Sequence, residues 1–254
     1  MSEVRGTLPP VLILLHGATG NGRMWDPVRR SLDPRWVVLT PDLPGHGARR
    51  NEPYTLAGAV STALECARSV PDAPLVLGGD SLGGYSSIAA ASALPSDRLR
   101  GLILGGCSLN YVGSPLRALR WRGLIGNCVT ALLGENRFTH VLLTKELRRA
   151  GLADTDIDSL IGAGIHPGAF KQAVEAIANV DFRSKVAAIE QPILFLNGER
   201  DKPAFKHEAE FVACARSAES RHFDCEHGVS IRCPRGFAAA TDEFVARVCG
   251  LSQR

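Results

Sequence analysis

No stretch of this 254-residue chain is apolar over the roughly 18 residues that a membrane-spanning helix requires. Met1 to Pro10 carries Glu3, Arg5 and two prolines, and the apolar run behind it, Val11 to Leu15, is too short for the core of a secretion signal. No block of like charge is present either: 29 basic residues face 26 acidic ones, the net charge is +3, and the arginines are scattered. Nucleic acid and membrane are therefore not expected as partners. The seven cysteines (Cys66, Cys107, Cys128, Cys214, Cys225, Cys233 and Cys249) are odd in number and form no C-x-x-C pair, which argues against a zinc site and a disulfide framework. Reduced thiols, a cytoplasmic location and no metal or cofactor are the expectation. Cys107, at a strand end, reads first as a small buried hydrophobe. Repeats and low-complexity tracts are also missing.

What is present is a 45% hydrophobic composition, ample for one large α/β domain or two small ones, set out as strands that alternate with helices. Val11 to Leu15, Trp36 to Thr40, Leu75 to Gly79, Leu102 to Gly106, Pro192 to Asn197 and Ser220 to Asp224 read as strands. The first shows no polar alternation, as expected where both faces are covered. Between them, helical spacing marks Trp25, Val28 and Leu32, then Leu56 to Ala67, then Leu82 to Ala93. Later helices span Phe205 to Arg216 and Arg235 to Val248. Parallel strands require crossovers, so this order predicts an α/β fold with a mostly parallel sheet of about six strands flanked by helices. After Cys107 the alternation stops for about eighty residues with helical patterning only, longer than a connection needs. The expected division is a core of residues 1–107 and 191–254 with a helical cap insertion at 108–190.

Gly79-Asp80-Ser81-Leu82-Gly83 is a G-x-S-x-G pentapeptide between a strand and a helix, where glycines permit a tight turn that lifts the serine out of the sheet. A serine hydroxyl is a weak nucleophile and needs a base, itself oriented by an acid. His227, in Cys225-Glu226-His227-Gly228 beyond the last strand, is the candidate base. His46 sits in a turn, His207 on a helix and His222 within a strand, while His140 and His166 belong to the insertion. Asp201, after the fifth strand, is the candidate acid, with Glu199 as the local rival and Asp224 too close in sequence to His227. An alternative reading of Asp201 is a cap on the helix near Pro203. The developing oxyanion needs donors, and the backbone amides of Leu82, at a helix start, and Ala18, in the loop His16-Gly17-Ala18, are so placed. His16, fixed beside a strand end, reads as shaping that oxyanion loop, and with Gly17 it would border the substrate. Trp121, Phe138, Leu143 and Phe170 are candidate pocket residues from the insertion.

Taken in order, His16-Gly17-Ala18-Thr19-Gly20, Asp42-Leu43-Pro44-Gly45-His46-Gly47, Gly79-Asp80-Ser81-Leu82-Gly83-Gly84, Gly198-Glu199-Arg200-Asp201 and Glu226-His227-Gly228 resemble the α/β-hydrolase superfamily, closest to small capped serine esterases and C–C hydrolases. The resemblance implies that fold, a lid over the pocket, and the chain order nucleophile, acid, histidine, met here by Ser81, Asp201 and His227. Two departures stand out. Asp80 occupies the place before the nucleophile where such proteins often have histidine or an aromatic, and little chain precedes Val11, so two leading strands of the family are not expected.

The expected function is that of a serine hydrolase acting through an acyl-enzyme on a carboxylic ester of a small or medium-sized apolar molecule. Thioesters, lactones and C–C bonds beside a carbonyl suit the same machinery. Arg117, Arg120 and Arg122 of the insertion read either as a solvated helix face or as a greeting to an anionic acyl carrier. A ligand-sensing protein on the same scaffold, with little turnover, is the reading from another class.

Overall fold

The computed structural model of the protein describes residues 8–134 and 142–252. The strands β1 (Val11–Leu15), β2 (Val37–Leu39), β3 (Leu75–Asp80), β4 (Leu99–Gly105), β5 (Ile193–Gly198) and β6 (Ala218–Phe223) form one sheet in the order β2-β1-β3-β4-β5-β6. Every neighbouring pair is parallel. Successive side chains of a strand point to opposite faces. Val11, Ile13 and Leu15 accordingly join one core cluster while Leu12 and Leu14 join another, which is why β1 carries no polar residue.

Helices α1 (Asp26–Arg29), α2 (Leu56–Ser69) and α3 (Leu82–Ala91) connect the first four strands. Between β4 and β5 the described residues form α4 (Gly113–Leu133), α5 (Thr144–Arg149), α6 (Asp154–Gly162), α7 (Ala169–Ile177) and α8 (Phe182–Ala187). The chain ends with α9 (Lys202–Cys214), α10 (Val229–Arg232) and α11 (Pro234–Val248). Ala59, Ala63 and Ala67 of α2 and Tyr85 and Ile88 of α3 cover one face of the sheet. Val28 of α1 and Phe237 and Phe244 of α11 cover the other. No helix among the described residues is long and apolar enough to cross a membrane.

The helices between β4 and β5 divide between the two sides. Leu147, Ile157 and Leu160 of α5 and α6 join the cluster of Trp25, and Ala173 and Ile177 of α7 join that of Tyr85. Asn21 Nδ2 donates to the carbonyls of Leu160 and Gly164, both at 2.8 Å, and the His166 amide donates to Thr19, so this segment is tied to the loop after β1. Within the same stretch, α8 packs on the sheet side: its Phe182 is fully buried, with ring centroid 4.6 Å from that of Tyr85.

Two boundaries differ from expectation for identifiable reasons. β4 begins at Leu99 and not at Leu102, because buried Leu99 pairs with Leu75 before the register shifts at Val76, leaving Arg100 exposed and the strand reading polar at its start. α9 begins at Lys202, with Pro203 in its first turn where a missing N–H costs nothing.

Candidate active site

Ser81 lies between the end of β3 and the start of α3 at φ 57° and ψ −118°, a conformation that costs a non-glycine residue about 1–3 kcal/mol and persists only where the surroundings impose it. They do so here by crowding. A Cβ at Gly79 would stand 2.2 Å from the carbonyl carbon of Gly83, and one at Gly83 would stand 1.9 Å from the oxygen of Leu15. The Ser81 amide donates to Gly105 at 2.7 Å, which completes the turn.

His227 Nε2 is 2.9 Å from Ser81 Oγ, and His227 Nδ1 is 2.6 Å from Asp201 Oδ2. Asp201 occupies the N-cap position of α9 but makes no cap bond with its side chain, which instead meets the imidazole while 7% exposed. A hydroxyl bonded to an imidazole whose other nitrogen faces a buried carboxylate is the arrangement in which the ring can take the hydroxyl proton while the acid fixes its tautomer.

The rival residues are elsewhere. Glu199 is exposed, and Asp224 pairs with Arg200 at 2.8 Å. His207 meets Glu210, and His222 meets Glu208. His46 is fully buried with Nδ1 2.8 Å from the Pro44 oxygen, and His140 lies outside the described residues.

Two apolar chambers flank the serine. One, of about 210 Å³, is lined by Tyr85, Leu109, Tyr111, Leu119, Val174 and Ile177. The other, of about 280 Å³, is lined by Met24, Leu143, Leu147, Leu160, Ile165 and Ile231. Ala18, Ser81, Phe170 and His227 border both, and among the described residues no lysine or arginine borders either. Larger hollows exist. One of about 570 Å³ lies where β1 and β3 begin, beside Pro10, Pro74 and Arg98, but among the described residues no serine or histidine lines it, so chemistry and not volume selects the site.

Most of the expected site residues meet at these chambers, and two of the described ones, Trp121 and His16, do not. Ala18 and Leu82 line the first with Ser81; Leu82 opens α3, where backbone N–H groups have no partner within the helix. Gly17 and Leu143 line the second. Trp121, by contrast, is 65% exposed and borders neither chamber, because the face of α4 it occupies points to solvent. Phe138 lies outside the described residues.

His16 borders neither chamber. It is fully buried and ties two loops together, Nε2 accepting from the Leu43 amide at 3.0 Å and Nδ1 donating to the Gly17 carbonyl at 2.8 Å. Burial, with His46 nearby, pushes its pKa down to about 3, so the ring is neutral. Of the insertion's arginines, Arg117 is exposed and Arg120 forms an ion pair with Glu175 at 2.6 Å. The lining residues that sequence reading did not single out as pocket include Tyr85, Tyr111 and Val174. The helical spacing of Phe170, Val174 and Ile177 was the available signal, though spacing alone does not separate a pocket wall from a core face.

Comparison with known proteins identifies the family. The profile described as the alpha/beta hydrolase family matches residues 12–240. The chain is 30% identical over 200 residues to a pimeloyl-acyl-carrier protein methyl ester esterase of Xanthomonas oryzae pv. oryzae, covering 76% of this chain and 77% of that one. It is 29% identical over 254 residues to a protein of the same name from Aromatoleum aromaticum, covering 93% and 98%. Among solved structures, a thermophilic esterase from Thermogutta terrifontis superimposes with a TM-score of 0.73 at 25% identity, over 96% of this chain and 91% of that one. The chain belongs to the alpha/beta hydrolase family.

Proposed function

We propose that the protein is a serine esterase in which Ser81 attacks the carbonyl of a carboxylic ester, His227 takes the hydroxyl proton and returns it to the departing alcohol, and Asp201 orients His227. The amides of Ala18 and Leu82 hold the oxyanion, a role in which one donor is typically worth on the order of 3 kcal/mol. Water activated by the same imidazole then releases the acid. The observation that carries the reading is the pair of bonds from Ser81 to His227 and from His227 to Asp201. The methyl ester esterase names of the relatives support a carboxylic ester over a thioester or a C–C bond.

In this reading the 108–190 insertion supplies the cap: Leu119, Val174 and Ile177 wall one chamber, Leu143, Leu147 and Leu160 the other, and Phe170 borders both. The apolar walls among the described residues favour an ester that carries a modest apolar group on each side of the carbonyl. Seven free cysteines suit a reducing, cytoplasmic setting.

The test is kinetic. Ser81→Ala is expected to abolish hydrolysis of a short p-nitrophenyl ester, and a fluorophosphonate is expected to label Ser81 in the wild type. Undiminished turnover by the variant would remove Ser81 from the mechanism, and labelling followed by a single turnover would favour a sensor over an enzyme.

A further inference from the structure

Asp80 stands next to Ser81 in the chain yet has no part in the chemistry above. Its side chain is buried, at 1% exposure. Oδ2 accepts from both the amide of Ser230, at 3.0 Å, and the Ser230 hydroxyl. Ser230 is itself fully buried and follows His227 by three residues, in α10, so these two bonds run from the nucleophile turn to the segment carrying the histidine.

The second oxygen, Oδ1, is buried and has no hydrogen-bond partner among the described residues. Leaving such an acceptor unpaired costs free energy, so its retention calls for a reason. Its position supplies one. A Cβ on Gly106 would stand 3.3 Å from Asp80 Oδ1 and 2.9 Å from His227 Cε1, so the free oxygen and the ring edge converge on a spot that glycine, here at φ +58°, leaves open.

We propose that Asp80 is a positioning residue: through Ser230 it clasps the His227 segment to the nucleophile turn, and its free oxygen directs negative charge toward the Cε1 edge of the imidazole. The other groups around the ring are compatible with this. Asp201 meets Nδ1, and Ser81 meets Nε2. From α10, Arg232 Nε donates to the His227 carbonyl while its guanidinium pairs with Glu226 at 3.0 Å. The thiols near Asp80 carry no competing charge, since burial pushes Cys107 well up and Cys225 up to about 12. Among the described residues, Asp80 and Asp201 are carboxylates disposed about the ring. When the ring gains the serine proton, both favour the imidazolium.

The kinetic consequence rests on the esterase reading, but the titration of the ring does not. Asp80→Asn keeps the size and an acceptor for Ser230 while removing the charge. In this variant the His227 imidazole, followed by NMR, is expected to titrate at lower pH than in the wild type. The acid limb of kcat/KM should move by the same amount, with kcat about tenfold down. An unmoved midpoint overturns the charge role. Ser230→Ala tests the clasp, and decides alone if Asp80→Asn does not fold. A several-fold fall in the rate of fluorophosphonate labelling at Ser81 is expected, and a wild-type rate overturns the clasp. A protein that fails to turn over esters but shows the shifted midpoint would sink the esterase reading and leave this one standing.

Discussion

Phe170 lines both chambers beside Ser81, so on the proposed esterase reading its ring borders both arms of a bound ester. Phe170→Ala should join the chambers and raise kcat/KM for esters with a bulky arm relative to short ones, by about tenfold per 1.4 kcal/mol of relieved clash. A panel of p-nitrophenyl esters of rising bulk measures this, and an unchanged ratio would mean that the ring is not the divider. At this scale the sequence was most informative where chemistry demands particular residues. Ser81, Asp201 and His227 each follow a strand end, and loops at the carboxyl ends of parallel strands share one crevice. It was least informative for apolar helix positions: Phe170 walls a pocket while Trp121 faces solvent, and nothing in residue type distinguishes them.

Arg98 shows how a single side chain joins elements. Just before β4, its guanidinium donates to the carbonyls of Ala73 at 3.0 Å, Ala67 at 3.2 Å and Val70 at 2.5 Å, fastening the end of α2 and the approach to β3. The planar fork reaches three acceptors that an ammonium on a flexible stem does not match. Arg98→Lys should therefore lower stability by about 2 kcal/mol, read as a shifted urea midpoint with unchanged slope. A midpoint within error of the wild type would show that water replaces these bonds without loss. The elements themselves were legible from their apolar spacing, but their ends were not. Leu99 belongs to β4 because of the strand beside it, and the exposed Arg100 masks that membership in the sequence. Likewise α8 lies in a stretch that reads as insertion, yet Phe182 packs on Tyr85 of the sheet layer.

For the whole molecule the buried histidines make stability depend on pH. His16 is lowered from 6.5 to about 3 by burial first and then by His46, and His46 is lowered chiefly by burial. The unfolded chain therefore binds more protons than the folded one below the ordinary histidine range, and stability rises with pH there. The contribution is complete above 6.5 and is lost progressively as pH falls toward about 3. Each unit crossed costs about 1.4 kcal/mol per histidine, so moving from about pH 7 to about pH 5 should remove roughly 2 kcal/mol through His16 alone. Urea unfolding across that range, above the titration of ordinary carboxylates, checks it; a flat profile would contradict the burial of these rings.

By itself the sequence determined the parallel α/β architecture and the chemistry of the strand exits. Apolar runs too short and too uniform for one exposed face must be covered on both sides, and a nucleophile, an acid and a base in strand-exit loops have one crevice to share. Only the tertiary structure decided which polar groups meet and which helix faces are walls. It placed Asp80 on Ser230, 150 positions apart, and His16 on the Leu43 amide. Such pairings are set by how packed layers approach one another, a distance in space that the spacing of residues along the chain does not contain.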